Sequence, residues 1–333
     1  MMGHGANFET RNPPLGSLVS ANAASPQSQT TQTQVFLFLL ALLVALVLSS
    51  IPLYSESEYT IRASTTEVRL AFAASDRQGH VVRTLQASDI AVADNGWIIR
   101  HFRSFRPASE SPLDLVILLD ASASVEAQIP AEIAAVKNFV ESSAWGARDQ
   151  VSILAFGGSR PQLICAHNCT EAAARVQLNS LRANGSTPLY DALFGAAEVL
   201  KENREPELRP AIILFSDGVD TISIHSASDA VAAAQNLQAA IYCVNSRSGK
   251  SAPDRGDAVL NALAASTGGL SYASGQDVST ALRAVLDDLH SSYVLTYDLP
   301  EQLSGQHSVR VLPTSDPQLQ FRSRTAYDDR LGR

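Results

Sequence analysis

The chain has 333 residues, of which 45% are hydrophobic and 17% charged, and this composition is typical of a globular protein. The formal net charge is −8, from 25 Lys and Arg against 33 Asp and Glu. The sequence contains no run of five or more basic residues, so it lacks the charge pattern of a nucleic-acid-binding protein. We therefore expect no nucleic-acid partner.

Residues 1–34 are rich in Asn, Gln, Ser and Thr, which predicts a disordered polar tail. Residues 35–54 carry no charge and begin with the apolar run VFLFLLALLVALVL. About 20 apolar residues are needed to cross a bilayer, so we predict a transmembrane signal anchor here, with a cleaved signal peptide as the alternative. The first reading predicts a single-pass protein of the cell membrane with its C-terminal part outside the cytoplasm. The second predicts a secreted or periplasmic protein.

Residues 55–108 alternate apolar and polar side chains, as in EVRLAFAASD, with turn-forming residues between the runs. Residues 293–333 show the same alternation. Neither segment alone has enough strands for a stable sheet. We therefore predict that the N-terminal β segment and the C-terminal β extension pair into one small flanking β module.

Residues 112–292 alternate strand-like and helix-like segments. LDLVILLD and PAIILFSDG are continuous apolar runs, typical of strands that are covered on both faces. Residues 278–289 place apolar side chains at helical spacing. This alternation predicts an α/β domain with a doubly wound, mostly parallel sheet.

Oxygen-bearing side chains follow the predicted strands, where ligands bind in sheets of this kind. Two carboxylates and three hydroxyls are offered by Asp120, Ser122, Ser124, Thr187 and Asp217. Each of them alone could cap or start a helix. Together they suit a hard divalent cation, so we predict a site for Mg²⁺, with Mn²⁺ or Ca²⁺ as alternatives.

Three motifs carry a resemblance to a known family: DASAS at 120–124, GSTPLYDAL at 185–193 and FSDGVD at 215–220. They resemble the von Willebrand factor A (VWA) domain with a complete metal-ion-dependent adhesion site. The resemblance implies that the five residues above hold the metal, directly or through water. The flanks resemble the bacterial VWFA-related domain family first described in acidobacteria, although Ile90 and Thr296 stand where that family often has Phe and Gly.

The three cysteines are interpreted from the predicted export. Cys165 and Cys169 are close enough in sequence to form a disulfide in an oxidising compartment. Cys243 lies in an apolar strand-like run, so we expect it to be a small buried residue.

The resulting hypothesis is a binding module and not an enzyme: an exported, membrane-anchored VWA domain that binds a protein partner through its metal. An open metal position would accept an acidic residue of that partner. One alternative is a Mg²⁺-dependent hydrolase, although no motif supplies a nucleophile with a general base. The other is a structural component of an envelope assembly with a vestigial metal site.

Overall fold

The computed structural model describes residues 34–43, 65–142, 145–167, 169, 171–247, 249, 252–300 and 303–330. The chain divides into two compact units, Met1–Ile61 and Arg62–Arg333. In the first unit, residues 34–43 form helix α1, whose side chains are exposed. The predicted tail up to residue 33 lies outside the described residues, and the predicted apolar segment 35–54 is described only as far as residue 43. Within the described ranges, no helix combines the length and apolarity required to cross a membrane.

The second unit contains the strands and the remaining helices. The strands are β1 (Thr65–Ser75), β2 (Ile90–Asp94), β3 (Trp97–Ile99), β4 (Ser104–Pro107), β5 (Leu113–Asp120), β6 (Gln150–Phe156), β7 (Gln162–Cys165), β8 (Arg209–Ser216), β9 (Ala240–Asn245), β10 (Ser271–Tyr272), β11 (Tyr293–Pro300), β12 (Gln306–Pro313), β13 (Gln320–Ser323) and β14 (Ala326–Asp328). The helices are α2 (Ile129–Val140), α3 (Glu171–Ser180), α4 (Leu189–Glu202), α5 (Ala227–Leu237), α6 (Arg255–Thr267) and α7 (Val278–Ser291).

The central sheet has six strands in the order β10-β9-β8-β5-β6-β7, and all neighbours are parallel except β6 and β7. Helices α2, α3 and α7 cover one face and α4, α5 and α6 the other, with a separate apolar core beneath each layer. The predicted α/β fold class is confirmed. Strand β7 pairs antiparallel with β6 because only residues 157–161 connect the two strands. A parallel pair needs a crossover connection that is much longer than this.

The flanking segments form two four-stranded antiparallel sheets, β13-β1-β11-β4 and β14-β12-β2-β3. Strand β1 pairs with β11 and β2 with β12, so each sheet combines two strands from the N-terminal segment with two from the C-terminal segment. Side chains of both sheets share one apolar core, which includes Phe72, Ile90, Tyr293 and Val309. The two sheets therefore form a small β sandwich.

The sandwich is attached to the α/β domain by buried polar contacts. The Arg322 guanidinium donates to Asp288 Oδ1 of α7 at 2.6 Å. The other oxygen of this carboxylate accepts from the Tyr242 hydroxyl of β9, within the α/β domain, at 2.6 Å. The buried Arg324 donates through Nη1 to the carbonyl of Gln235 at 2.7 Å. These bonds connect β13 and the segment after it to helices α5 and α7.

The structure joins Cys165 at the end of β7 to Cys169 by a disulfide, with a Cα–Cα distance of 5.7 Å. Cys243 is buried in β9, four strand positions from β7 in the sheet. At about 4.8 Å per position this separation is roughly 19 Å, far beyond disulfide reach. Burial also raises the pKa of the Cys243 thiol, which keeps it in the unreactive protonated form.

We therefore expect iodoacetamide to alkylate no cysteine of the folded, non-reduced protein. After mild reduction, Cys165 and Cys169 should be labelled and Cys243 should not, because only denaturation exposes it. Mass spectrometry of the alkylated peptides checks this. A bridge that includes Cys243 in the folded monomer would contradict the strand order.

Candidate metal centre

Asp120 ends β5 and is buried next to β8. The register pairs Leu119 with Phe215, so Asp120 lies beside Ser216. The Ser216 hydroxyl donates to Asp120 Oδ2 at 2.7 Å, and the backbone N–H of Ser122 donates to Oδ1 at 2.8 Å. Burial raises the pKa of Asp120 above its ordinary value in spite of these bonds, and the charge of Asp217 raises it further. Each carboxylate oxygen keeps a second acceptor position for a cation.

The two predicted serine ligands follow at a short 3₁₀ turn, Ala123–Val125, which Ser122 precedes and which contains Ser124. Ser122 is buried and Ser124 is exposed, and their hydroxyl oxygens are 3.1 Å apart. The pair therefore lies directly after the Asp120 carboxylate, at the carboxyl end of the central strand.

Thr187 is buried in the loop that precedes α4. This loop is bonded to the first one: Asn184 N–H donates to the carbonyl of Ala121 at 2.7 Å, and Ala123 N–H donates to the carbonyl of Gly185 at 3.3 Å. The Thr187 and Ser122 segments are thus held against each other by backbone hydrogen bonds.

Asp217 is half-buried in the loop after β8, where its Oδ1 accepts from Val219 N–H at 3.0 Å. Two hydrogen bonds join this loop to the second: Thr221 N–H donates to the carbonyl of Thr187 at 3.0 Å, and Thr187 N–H donates to Thr221 Oγ1 at 2.8 Å. The structure therefore brings all five predicted ligands onto three loops that are hydrogen-bonded to one another at one end of the sheet.

Two glycines allow the first turn of α6 to approach the Asp217 loop. Gly218 has a φ of +79°, and a Cβ there would lie 2.4 Å from the carbonyl oxygen of Gly256. A Cβ on Gly256 would lie 2.1 Å from the carbonyl oxygen of Asp217. Residues 255–257, with the sequence RGD, are therefore the start of a helix that packs against the Asp217 loop.

The sequence interpretation missed Glu132, a buried glutamate on α2. The pKa of its carboxyl group is raised to about 7, mainly by burial and also by the charge of Asp120. A hydrogen bond with Ser246 acts in the opposite direction. Its Oε2 has no hydrogen-bond partner. A signal was available: Glu132 lies three residues after Ile129 and four before Val136, on the apolar face of the helix, where an acidic residue is unusual.

The electrostatics of this end of the sheet favour a cation. The charge of Asp217 acts on Asp120, and the charge of Asp120 acts on Glu132, in both cases as a like charge. Among the ion pairs of the described residues, none includes any of these three. The described part of the chain also contains no cluster of three or more His, Cys, Asp or Glu side chains arranged for a metal. Two carboxylates with three hydroxyls make a different donor set, one that fits a hard cation such as Mg²⁺.

Part of the chain matches a known family and a distant relative. Residues 115–219 match the von Willebrand factor type A domain family. The magnesium-chelatase 60 kDa subunit of Rhodobacter capsulatus is 28% identical over 110 residues, which are 33% of this chain and only 20% of that subunit.

Two solved structures are also similar. An aerotolerance-related membrane protein of Bacteroides fragilis is 17% identical with a TM-score of 0.42, over 53% of this chain and 98% of that one. A von Willebrand factor type A protein of Catenulispora acidiphila is 12% identical with a TM-score of 0.45, over 80% of this chain and 75% of that one. The family match confirms the predicted resemblance to VWA domains. It does not reach the flanking strands, so their resemblance to the bacterial VWFA-related family stays a prediction.

Proposed function

We propose that the part of this chain that matches the von Willebrand factor type A domain family, residues 115–219, belongs to a domain that binds a protein partner through a divalent cation. The cation would be held by Asp120, Ser122, Ser124, Thr187 and Asp217, directly or through water. Mg²⁺ is the first candidate, with Mn²⁺ and Ca²⁺ as alternatives, because all the donors are oxygens.

One observation carries the proposal: two carboxylates and three hydroxyls lie on three mutually bonded loops, and no ion pair of the described residues neutralises either carboxylate. Five donors leave at least one octahedral position to solvent. An acidic side chain of another protein adds a negative charge at that position and completes the coordination. The proposed role is therefore binding, not catalysis.

We also propose that the protein is attached to the cell membrane through residues 35–54, with the VWA domain outside the cytoplasm. The exposed apolar side chains of α1 favour insertion of this segment into lipid. The Cys165–Cys169 disulfide fits an oxidising compartment. Cleavage of the segment, which would give a secreted or periplasmic protein, is the alternative.

Partner capture tests the proposed function. The immobilised full chain is incubated with an extract of the cell envelope in Mg²⁺, in EDTA, and in Mg²⁺ with the Ser122→Ala/Ser124→Ala variant. Because the cation bridges the two proteins, we expect a true partner to be retained only by the wild type in Mg²⁺, as measured by quantitative mass spectrometry. Replacement of single exposed acidic residues in that partner should then identify one on which retention depends.

The outcomes separate the alternatives. Equal retention under all three conditions would show that partners bind elsewhere and that the metal is structural or absent. Turnover of phosphate or carboxylic esters that requires Mg²⁺ and is lost in the same variant would favour the hydrolase instead.

A further inference from the structure

The loop after Asp217 exposes three branched apolar side chains, Val219, Ile222 and Ile224. Ile224 is 93% exposed, close to the maximum for any residue. Single exposed apolar residues are ordinary, but three on one short loop form a patch of the kind found at interaction sites. The patch adjoins the candidate metal centre, because Val219 donates its N–H to Asp217 and Thr221 is hydrogen-bonded to Thr187.

The backbone of this loop is held in place although its side chains are exposed. Both oxygens of Asp191 accept from Ile224 N–H at 3.1 Å, and Oδ1 also accepts from His225 N–H at 2.9 Å. The His225 ring stacks on Phe194 with the ring centres 4.0 Å apart, and its Nδ1 lies 2.8 Å from Asp191 Oδ1. Burial alone would raise the pKa of Asp191, but these hydrogen bonds outweigh it and lower the pKa. The anchoring carboxylate is therefore ionised at neutral pH.

A second set of bonds anchors the middle of the loop. The Ser223 hydroxyl accepts from Tyr190 N–H at 3.0 Å and donates to Asp220 Oδ1 at 2.5 Å. Asp220 Oδ1 also accepts from Leu189 N–H at 3.0 Å. A loop fixed in this way loses little conformational freedom when its side chains are covered, which lowers the cost of binding.

One basic side chain, Arg255, lies near the loop, which itself carries Asp217 and Asp220. Arg255 is exposed at the start of α6. Burial and the charge of Asp220 raise the pKa of the Tyr190 phenol, and Arg255 is close enough to Tyr190 that its charge opposes this rise. Arg255 thus lies near Tyr190, whose backbone N–H donates to Ser223 of the loop.

From these contacts we infer that Val219, Ile222 and Ile224 form a docking surface for a protein segment in which apolar side chains flank the acidic residue that reaches the metal. The inference rests on the proposed metal-dependent binding and adds the sequence preference of the partner. The carboxylate provides the metal contact, and the neighbouring apolar side chains cover the patch. Arg255 favours further acidic residues at the edge of the same segment.

A phage-displayed library of random peptides tests this preference. The full chain is panned in Mg²⁺, bound phage are eluted with EDTA, and the enriched peptides are sequenced. We expect enrichment of an acidic residue with apolar residues within two positions of it. Panning against Ile224→Ser should retain the acidic residue and lose the apolar preference, and a single wild-type-selected peptide should bind this variant about tenfold more weakly, as for loss of an interface anchor.

Ile98→Ser is the matched control, since Ile98 is an exposed isoleucine of β3 in the β sandwich and its replacement should leave selection and affinity unchanged. Melting temperatures of both variants should equal that of the wild type, which excludes misfolding. An enriched acidic residue without apolar neighbours, or an unchanged profile in Ile224→Ser, would overturn the docking surface and leave metal-dependent binding intact. Peptides that EDTA does not elute, or no enrichment at all, would count against both.

Discussion

Replacement of Asp120 by Asn should lower the affinity for Mg²⁺ by at least about 100-fold. Loss of a group that only orients a metal ligand already lowers affinity by up to about 100-fold, and Asp120 is proposed to be a ligand itself. The reason is the position of the carboxylate at the end of the central strand, between Ser122 and Ser216. Asn keeps the size of the side chain and removes its charge. Isothermal titration calorimetry of the full chain measures the affinity, and one divalent site is expected in the wild type.

The same change should not lower the stability of the fold when metal is absent. In EDTA the wild type buries a carboxylate whose pKa is raised by burial and by Asp217, so the neutral amide should not destabilise the fold. Asp114→Asn is the matched control: Asp114 is a buried aspartate at the other end of β5, and burial raises its pKa also. Its replacement should leave Mg²⁺ affinity unchanged. Unchanged affinity in Asp120→Asn, or equal losses in both variants, would contradict the assignment.

The sequence was most informative where a local pattern determines local structure. Strands β5 and β8 are covered on both faces, so the stretches 115–119 and 210–215 are wholly apolar and are easily identified. The oxygen-bearing residues directly after them predicted the candidate centre, because the carboxyl ends of adjacent parallel strands meet. The three motifs fall on three loops that the structure joins by hydrogen bonds.

Features that depend on pairing between distant parts of the chain were harder to predict from the sequence. The β sandwich could be proposed as a pairing of the flanks, but the assignment of β1 and β11 to one sheet and of β2 and β12 to the other depends on contacts between residues more than 200 positions apart. Ser216 looked like part of a buried strand, and only the register places its hydroxyl on Asp120. Glu132 was overlooked because the apolar residues around it gave a complete helical pattern without it.

Because Glu132 is buried, its ionisation should lower the free energy of unfolding as the pH rises. Its pKa is about 7 in the folded chain, against an ordinary value of 4.5. Below pH 4.5 the group is protonated in both the folded and the unfolded chain and contributes no cost. As the pH rises from 4.5 to 7, the unfolded chain releases this proton more readily than the folded one, so the free energy of unfolding falls. Above pH 7 the loss levels off at about 3 kcal/mol, from 1.36 kcal/mol per unit of pKa.

Glu132→Gln removes this titration and nearly preserves the shape of the side chain. In EDTA, we expect the free energy of unfolding of Glu132→Gln to exceed that of the wild type by about 3 kcal/mol at pH 8 and by much less at pH 5. Urea denaturation at a series of pH values measures both curves. Glu126→Gln, an exposed glutamate that precedes α2, is the control and should follow the wild type at every pH.

Metal binding should reduce this cost, because a cation held by Asp120 and Asp217 replaces the repulsion between Glu132 and Asp120 with an attraction. We therefore expect saturating Mg²⁺ to bring the wild-type curve closer to that of Glu132→Gln above pH 7. Asp120→Asn should show no such shift, since it does not hold the metal. Parallel curves for Glu132→Gln and the wild type in EDTA would show that the Glu132 carboxyl group does not titrate at neutral pH.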